Sequence, residues 1–291
     1  MERPIKTRDG RTLIVHEEGD PSGPAIIWQH GTPMSGRSYE PWAEDARKRG
    51  IRLIGYDRPG YGGSDRDADR RIANCAADVS SIADALDLRR YVTWGVSGGG
   101  PHALACAALC DERLVAVASL AGVAPWEAEG LDWMEGMGES NHEEFAATLA
   151  GEQELRPFLE RDFAGMASAT PEEIAEGWGS LLGEADRALL TGEVASFFLS
   201  TIRYGLSNGV DGWLDDDFAF AKSWGFDLDE IDRPVLIFHG ASDRFVPISH
   251  AHWLAEHIPN AETWIRGDEE GHLTLQILRL AEVHEWLLSH V

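Results

Sequence analysis

A doubly wound, mostly parallel α/β sheet carrying an inserted all-helical cap is the architecture this sequence predicts. Three observations carry it. Apolar, strand-like runs alternate with helix-like stretches as far as Leu120; the alternation stops over residues 121–230; it resumes at Pro234 and continues to the end. A chain of 291 residues suits one large domain with an insertion better than several small ones. The expected division is a catalytic domain of 1–122 and 231–291, with a helical cap over 123–230.

Taken in order, residues 11–17 read as an early strand, followed by a turn rich in Gly, Pro and Asp at 19–24. Residues 25–30 form a short apolar strand that ends at Gly31, and 39–48 read as a helix. The next strand, 51–56, runs into the glycine-rich loop 57–64. Ile72, Ala76, Val79, Ala83 and Leu86 keep helical spacing, so 72–88 is an amphipathic helix. A strand at 91–94, a tight turn, a helix at 101–109 and a strand at 114–120 complete the first half.

Within 121–230 no run reads as a strand. Thr170, Pro171 and Glu173 carry the cap, first-turn proline and third-position glutamate of a helix start, and Ser140 with Glu143 repeats the spacing more weakly. Residues 193–204 read as helix. Five tryptophans lie here: Trp126, Trp133, Trp178, Trp213 and Trp224. Individually they are expected in the core; collectively some should line a pocket, giving a mainly apolar acyl or alcohol site. The last stretch reads as strand 234–240, helix 248–257, strand 261–266 and a final helix 273–290.

Composition sets limits. Hydrophobic content of 43% with 26% charged residues is that of an ordinary globular protein. No apolar run approaches the roughly 18 residues of a membrane helix, and the first residues lack the apolar core of a signal peptide. Cys75, Cys106 and Cys110 have neither disulfide nor metal spacing and read as reduced core residues, which fits a cytoplasmic protein. The net charge of −25 is uneven: 23 acidic and 5 basic residues between Pro125 and Asp229 leave −18 there. Such a surface repels phosphates, so nucleic acid is excluded as a partner. The expected partner is a small molecule, neutral or cationic and partly apolar; the composition leaves room for a homodimer. Asp215, Asp216 and Asp217 read as a solvated helix start rather than a metal site.

The chemistry is carried by Gly95-Val96-Ser97-Gly98-Gly99, a serine flanked by glycines between a strand and a helix. In this elbow the turn is too tight for side chains at Gly95 and Gly99, and the serine hydroxyl is thrust out at the end of the sheet. A serine needs a base, and the base needs an orienting acid. Asp243, just past the strand 234–240, and His272, in the loop before the last helix, fall at strand carboxyl ends as Ser97 does. Their chain order, Ser then Asp then His, suits this elbow. Most other histidines sit on expected helices or strands without a partner signal, and His102, five residues after Ser97, reads as packing. For the oxyanion, the backbone amides of Gly98 and Thr32 are the candidate donors. A phosphate- or dinucleotide-binding loop is not supported, since the glycine spacing is wrong and no lysine stands where a P-loop needs one.

With His30-Gly31-Thr32-Pro33, the 57–64 loop, the Ser97 elbow, Gly240-Ala241-Ser242-Asp243 and Gly271-His272, the chain resembles the capped, cofactor-free α/β-hydrolases. The resemblance covers roughly 1–122 and 231–291. It implies an eight-stranded sheet, a Ser97–His272–Asp243 triad, an active site between sheet and cap, and no metal or organic cofactor. Haloalkane dehalogenases and epoxide hydrolases of this fold use aspartate where this chain has Ser97. Proline iminopeptidases are similar in size and cap, but differ in the oxyanion loop and carry Trp where this chain has Gly98. The expected activity is therefore hydrolysis of a carboxylic ester or lactone through an acyl-enzyme. An aminopeptidase is the alternative, as is a lyase or ligand receptor on the same scaffold.

Overall fold

Strands β1 (Glu2–Lys6), β2 (Thr12–Gly19), β3 (Ala25–Gln29), β4 (Arg52–Tyr56), β5 (Tyr91–Val96), β6 (Leu114–Leu120), β7 (Val235–Gly240) and β8 (Glu262–Arg266) form one sheet in the computed structural model, which describes residues 1–291. Their order is β1-β2-β4-β3-β5-β6-β7-β8. β2 runs antiparallel to both β1 and β4; all the other pairs are parallel. The fold is thus the predicted doubly wound, mostly parallel α/β sheet. β1 is the strand the sequence reading misses. Only Ile5 of its five residues is buried, so it has no apolar alternation to reveal it. It exists because β2 offers it a full edge, from Glu2 opposite His16 to Lys6 opposite Thr12.

Helices α1 (Glu40–Arg49), α2 (Cys75–Ala85) and α3 (Gly99–Leu109) follow β3, β4 and β5. Between β6 and β7 the chain makes only helices: α4 (Glu139–Ala150), α5 (Glu152–Ser168), α6 (Ile174–Gly177), α7 (Glu184–Leu189), α8 (Gly192–Gly205) and α9 (Asp211–Phe220), with two short 3-10 turns. α10 (Ile248–His257) follows β7. The single final helix of the sequence reading is instead two, α11 (His272–Leu278) and α12 (Leu280–Leu288), separated at Arg279. The Thr170 signature is half used: the Thr170 amide donates to the Glu173 carboxylate at 2.8 Å, but regular helix begins only at Ile174. Ser140 is no cap at all, since α4 starts one residue earlier, after Gly138.

The two faces of the central strands bury separate apolar clusters. On one, Trp28 stacks on Trp94 with centroids 5.2 Å apart, and Trp42 of α1 meets Trp28 edge-on at 5.5 Å. On the other, the three cysteines are buried and unpaired. No helix is long and apolar enough to cross a membrane. Register then prepares the site. Gln29 of β3 lies opposite Gly95 of β5, and Val96 lies opposite Leu120 of β6. The segments leaving β3 and β5, residues 30–32 and 97–98, therefore emerge side by side at the carboxyl end of the sheet.

Candidate active site

Ser97 sits between β5 and α3 with φ of 55°, in the left-handed region. Its amide donates to the Leu120 carbonyl at 2.9 Å, and its carbonyl accepts from Gly100 at 2.8 Å. The flanking glycines are sterically required. A Cβ on Gly95 would lie 2.0 Å from the Gly99 carbonyl oxygen, and one on Gly99 would lie 2.2 Å from that of Gln29. Gly98 is equally constrained, since a Cβ there would be 2.4 Å from Thr32 Oγ1 and 2.8 Å from the Phe220 ring. Thr32 and Gly98 thus lie side by side, and the amide of neither donates within the backbone hydrogen-bond network.

Asp243 follows β7 in a turn that its own side chain stabilises. Its Oδ1 accepts the amides of Phe245 and Val246, both at 2.9 Å. Oδ2 is left for His272, whose Nδ1 donates to it at 2.7 Å. The Phe245 ring stacks on the imidazole with centroids 4.6 Å apart. Nδ1 is thereby committed, and Nε2 is the free edge of the ring. Burial alone would lower the His272 pKa, but the Asp243 carboxylate outweighs it and holds the imidazole above its ordinary value.

His272 is not in a loop, as the sequence suggested, but is the first residue of α11. What anchors it there is Asp186 of α7, which the sequence reading missed. The Asp186 carboxylate accepts the amides of His272 at 2.8 Å, Leu273 at 3.0 Å and Thr274 at 2.8 Å. It caps the helix from 86 residues away, so no local pattern announces it. Gly271 leaves the room, because a Cβ there would meet Asp186 Oδ2 at 2.5 Å.

Asp215, Asp216 and Asp217 correct a second expectation. They lie within α9, not at its start, and are 4%, 0% and 1% exposed. Asp216 is wrapped by donors: Thr32 Oγ1 at 2.6 Å, Arg58 Nη2 at 2.5 Å, Tyr61 Oη at 2.8 Å and Arg70 Nη2 at 2.7 Å. Burial opposes its charge, but Arg58 and Arg70 hold the carboxyl well below the usual range. Asp215 pairs with Arg66 through two hydrogen bonds, at 2.7 and 2.8 Å. Arg58 also donates to the His30 carbonyl, so one guanidinium ties the 30–32 segment to α9. These partners are distant in sequence, which is why the triplet looks like a solvated helix start.

His102 behaves as expected. It is buried, its Nδ1 donates to the Gly98 carbonyl at 2.7 Å, and burial lowers its pKa to about 3. Other histidines have partners the sequence did not signal, among them His16 with Asp57 at 3.2 Å and His284 with Asp45 at 2.8 Å.

Ser97, His272, Thr32 and Gly98 line one cavity of about 630 Å³, walled on the other side by helices α4, α5, α6, α8 and α9. Trp133, Trp178 and Trp213 contribute to it, whereas Trp126 and Trp224 do not. The cavity surface is mainly apolar, as expected, but not uniformly so. Only half of its lining residues are hydrophobic, and the carboxylates Glu144, Asp162, Glu173, Glu176 and Asp217 are among the rest.

The family model described as alpha/beta hydrolase fold matches residues 24–275. Among curated proteins, a pimeloyl-[acyl-carrier protein] methyl ester esterase from Nitrosomonas europaea is 28% identical, over 85% of this chain and 88% of its own length. A non-heme chloroperoxidase from Streptomyces lividans is 26% identical, over 85% and 84% respectively. Among solved structures, an esterase from Exiguobacterium antarcticum superposes with a TM-score of 0.72 at 21% identity, covering 99% of this chain and 98% of that one. At that identity the likeness is one of fold.

Proposed function

The chain belongs to the alpha/beta hydrolase fold family, and from that premise we propose that it is a serine hydrolase cleaving a carboxylic ester or a lactone, which is an internal ester. The observation that carries this reading is the His272–Asp243 hydrogen bond of 2.7 Å, with His272 lining the same cavity as the strained Ser97. The methyl ester esterase among its relatives supports the same class.

In this mechanism Ser97 Oγ attacks the carbonyl carbon while His272 Nε2 takes its proton. Asp243 fixes the tautomer and stabilises the imidazolium. The negative oxygen of the tetrahedral intermediate is held by the Thr32 and Gly98 amides. Collapse breaks the ester bond; the alcohol leaves with the proton from His272 and an acyl-Ser97 remains. Water then attacks, giving its proton to His272, and the acid departs as Ser97 recovers its proton. The Asp216–Arg58 bonds hold Thr32 where this requires it, and the Asp186 cap does the same for His272.

The test is hydrolysis of short p-nitrophenyl esters beside proline p-nitroanilide, with Ser97→Ala as the blank. Ester cleavage that falls by about 10⁶-fold in Ser97→Ala, with unchanged folding, is the expected outcome. Retained activity in that variant removes Ser97 as nucleophile. Cleavage of the anilide instead promotes the aminopeptidase.

A further inference from the structure

Glu144 of α4 and Asp217 of α9 both line the cavity that holds Ser97. Asp217 is 1% exposed, and no N–H or hydroxyl group donates to it; its Oδ2 is buried without a partner. Its close polar neighbour is the Glu144 carboxyl. Glu144 accepts the Trp213 Nε1–H at 2.6 Å. No Lys, Arg or His lies within ion-pair reach of either group.

The surrounding charges do not help them. Asp162 of α5 faces Glu144, and Asp216 sits beside Asp217. Arg70 is close to Asp217 but is committed to Asp216 and Asp215. Arg161, the one arginine lining the cavity, pairs with Asp162 at 3.3 Å. A buried carboxyl beside a part-buried one, with no cation to pair either, disfavours a second negative charge, so the two hold a proton between them. Burial pushes both above the usual carboxylate range; the Glu144 charge adds to this for Asp217, and the Asp162 charge for Glu144. Such a pair is a vacancy for positive charge: a cation entering between them replaces the shared proton and regains the Coulomb energy that burial withholds.

Helix α9 fixes where that charge would sit. Asp216 holds Thr32 Oγ1, and the Phe220 ring abuts Gly98. Asp217 lies between these two anchors, about one helical turn, roughly 5 Å, from the latter. A cation on the pair therefore shares one chamber with a carbonyl polarised by the Thr32 and Gly98 amides.

We infer that Glu144 and Asp217 form a receptor for a protonated amine, so that the substrate is an ester or amide bearing an ammonium group close to the scissile carbonyl. The carbonyl half of this statement rests on the function proposed above; the ammonium half does not. The remaining wall, with Trp133, Phe145 and Trp178, takes the apolar part of such a molecule.

Two measurements test it. The first needs no turnover. n-Butylammonium and its neutral counterpart 1-butanol are titrated into the wild-type protein, followed by tryptophan fluorescence, since Trp213 is bonded to Glu144. Butylammonium should bind about tenfold or more tightly than butanol. Its affinity should rise from about pH 5 to about pH 8 as the pair loses its proton. Glu144→Gln should erase most of the difference between the two probes. Equal binding of the two probes by the wild-type protein overturns the inference, as does an ammonium preference that survives Glu144→Gln.

The second compares kcat/KM for alanine ethyl ester and ethyl propionate, which differ by the amine alone. A preference of about tenfold or more for the amine is expected, concentrated in KM and reduced in Asp217→Asn. Cleavage of both esters without preference overturns the inference and leaves the esterase standing. Cleavage of neither, with butylammonium still preferred, overturns the esterase and leaves the amine receptor standing.

Discussion

Asp216 and Asp217 are consecutive residues of α9, equally buried, yet the two flanks of that helix are built in opposite ways. On the Asp216 flank, two guanidiniums and two hydroxyls surround a single carboxylate, which stays ionised far into acid. On the Asp217 flank, a second carboxyl from α4 is the neighbour, and both groups are driven toward the neutral form. Depth is the same on the two sides; the partners differ. Burial thus does not decide the charge of a carboxyl, and only the saturated flank is finished as structure. The other is left short of a positive charge and faces the cavity.

That contrast can be sharpened first by removing the carboxylate assigned to the chemistry alone. Asp243→Asn should lower the esterase rate by about 10⁴-fold, by favouring the wrong His272 tautomer. Butylammonium binding should survive it. A small rate loss moves the orienting acid elsewhere, and lost ammonium binding blurs the separation of catalysis from recognition. The next effect is on stability. Asp216→Ala leaves Arg58 buried without its counter-charge and Arg70 with Asp215 alone, and should cost about 3–5 kcal/mol in urea unfolding. An unchanged midpoint would break the contrast, because Asp216 would then be no keystone.

The smallest effect tests the other flank. Asp217 has a raised pKa in the folded state, so the folded protein binds more protons than the unfolded one above the ordinary carboxylate range. Wild-type stability therefore falls as pH rises from there through the folded value. Asp217→Asn removes that fall: the variant should match wild type in mild acid and exceed it in mild base. Asp216 has the opposite sign. Its depressed pKa supplies stability above the ordinary carboxylate range that is lost as pH falls through the folded value. A variant destabilised at alkaline pH would show that the Asp217 flank, too, is structural.

Much of this molecule is legible in its sequence, for a definable reason. Strand–helix alternation is a local signal, and it reveals every strand but β1, whose residues are mostly exposed. Ser97, Asp243 and His272 are legible as a set because each follows a strand closely and the sheet gathers such ends. Thr32 and Gly98 are legible as neighbours for the same reason. What escapes is long-range pairing of polar groups. Nothing near Asp186 announces that it caps α11, and nothing near Asp216 announces two buried arginines some 150 residues earlier. The aspartate triplet looks solvated because composition sees its charge and not its partners. The carboxylates of the cavity wall escape for the same reason: they come from separate helices whose meeting no local pattern describes.

The cap that Asp186 places on α11 has a consequence for how such a molecule can be re-engineered or can diverge. The histidine is donated by one half of the fold, but its helix is pinned by an acid donated by the segment between β6 and β7. That segment is accordingly not a free-standing module. A chimera that grafts another protein's helices there, or a deletion that trims α7, would leave three amides at the head of α11 unsatisfied and His272 without its mooring, unless the replacement brings an acid of its own to Gly271.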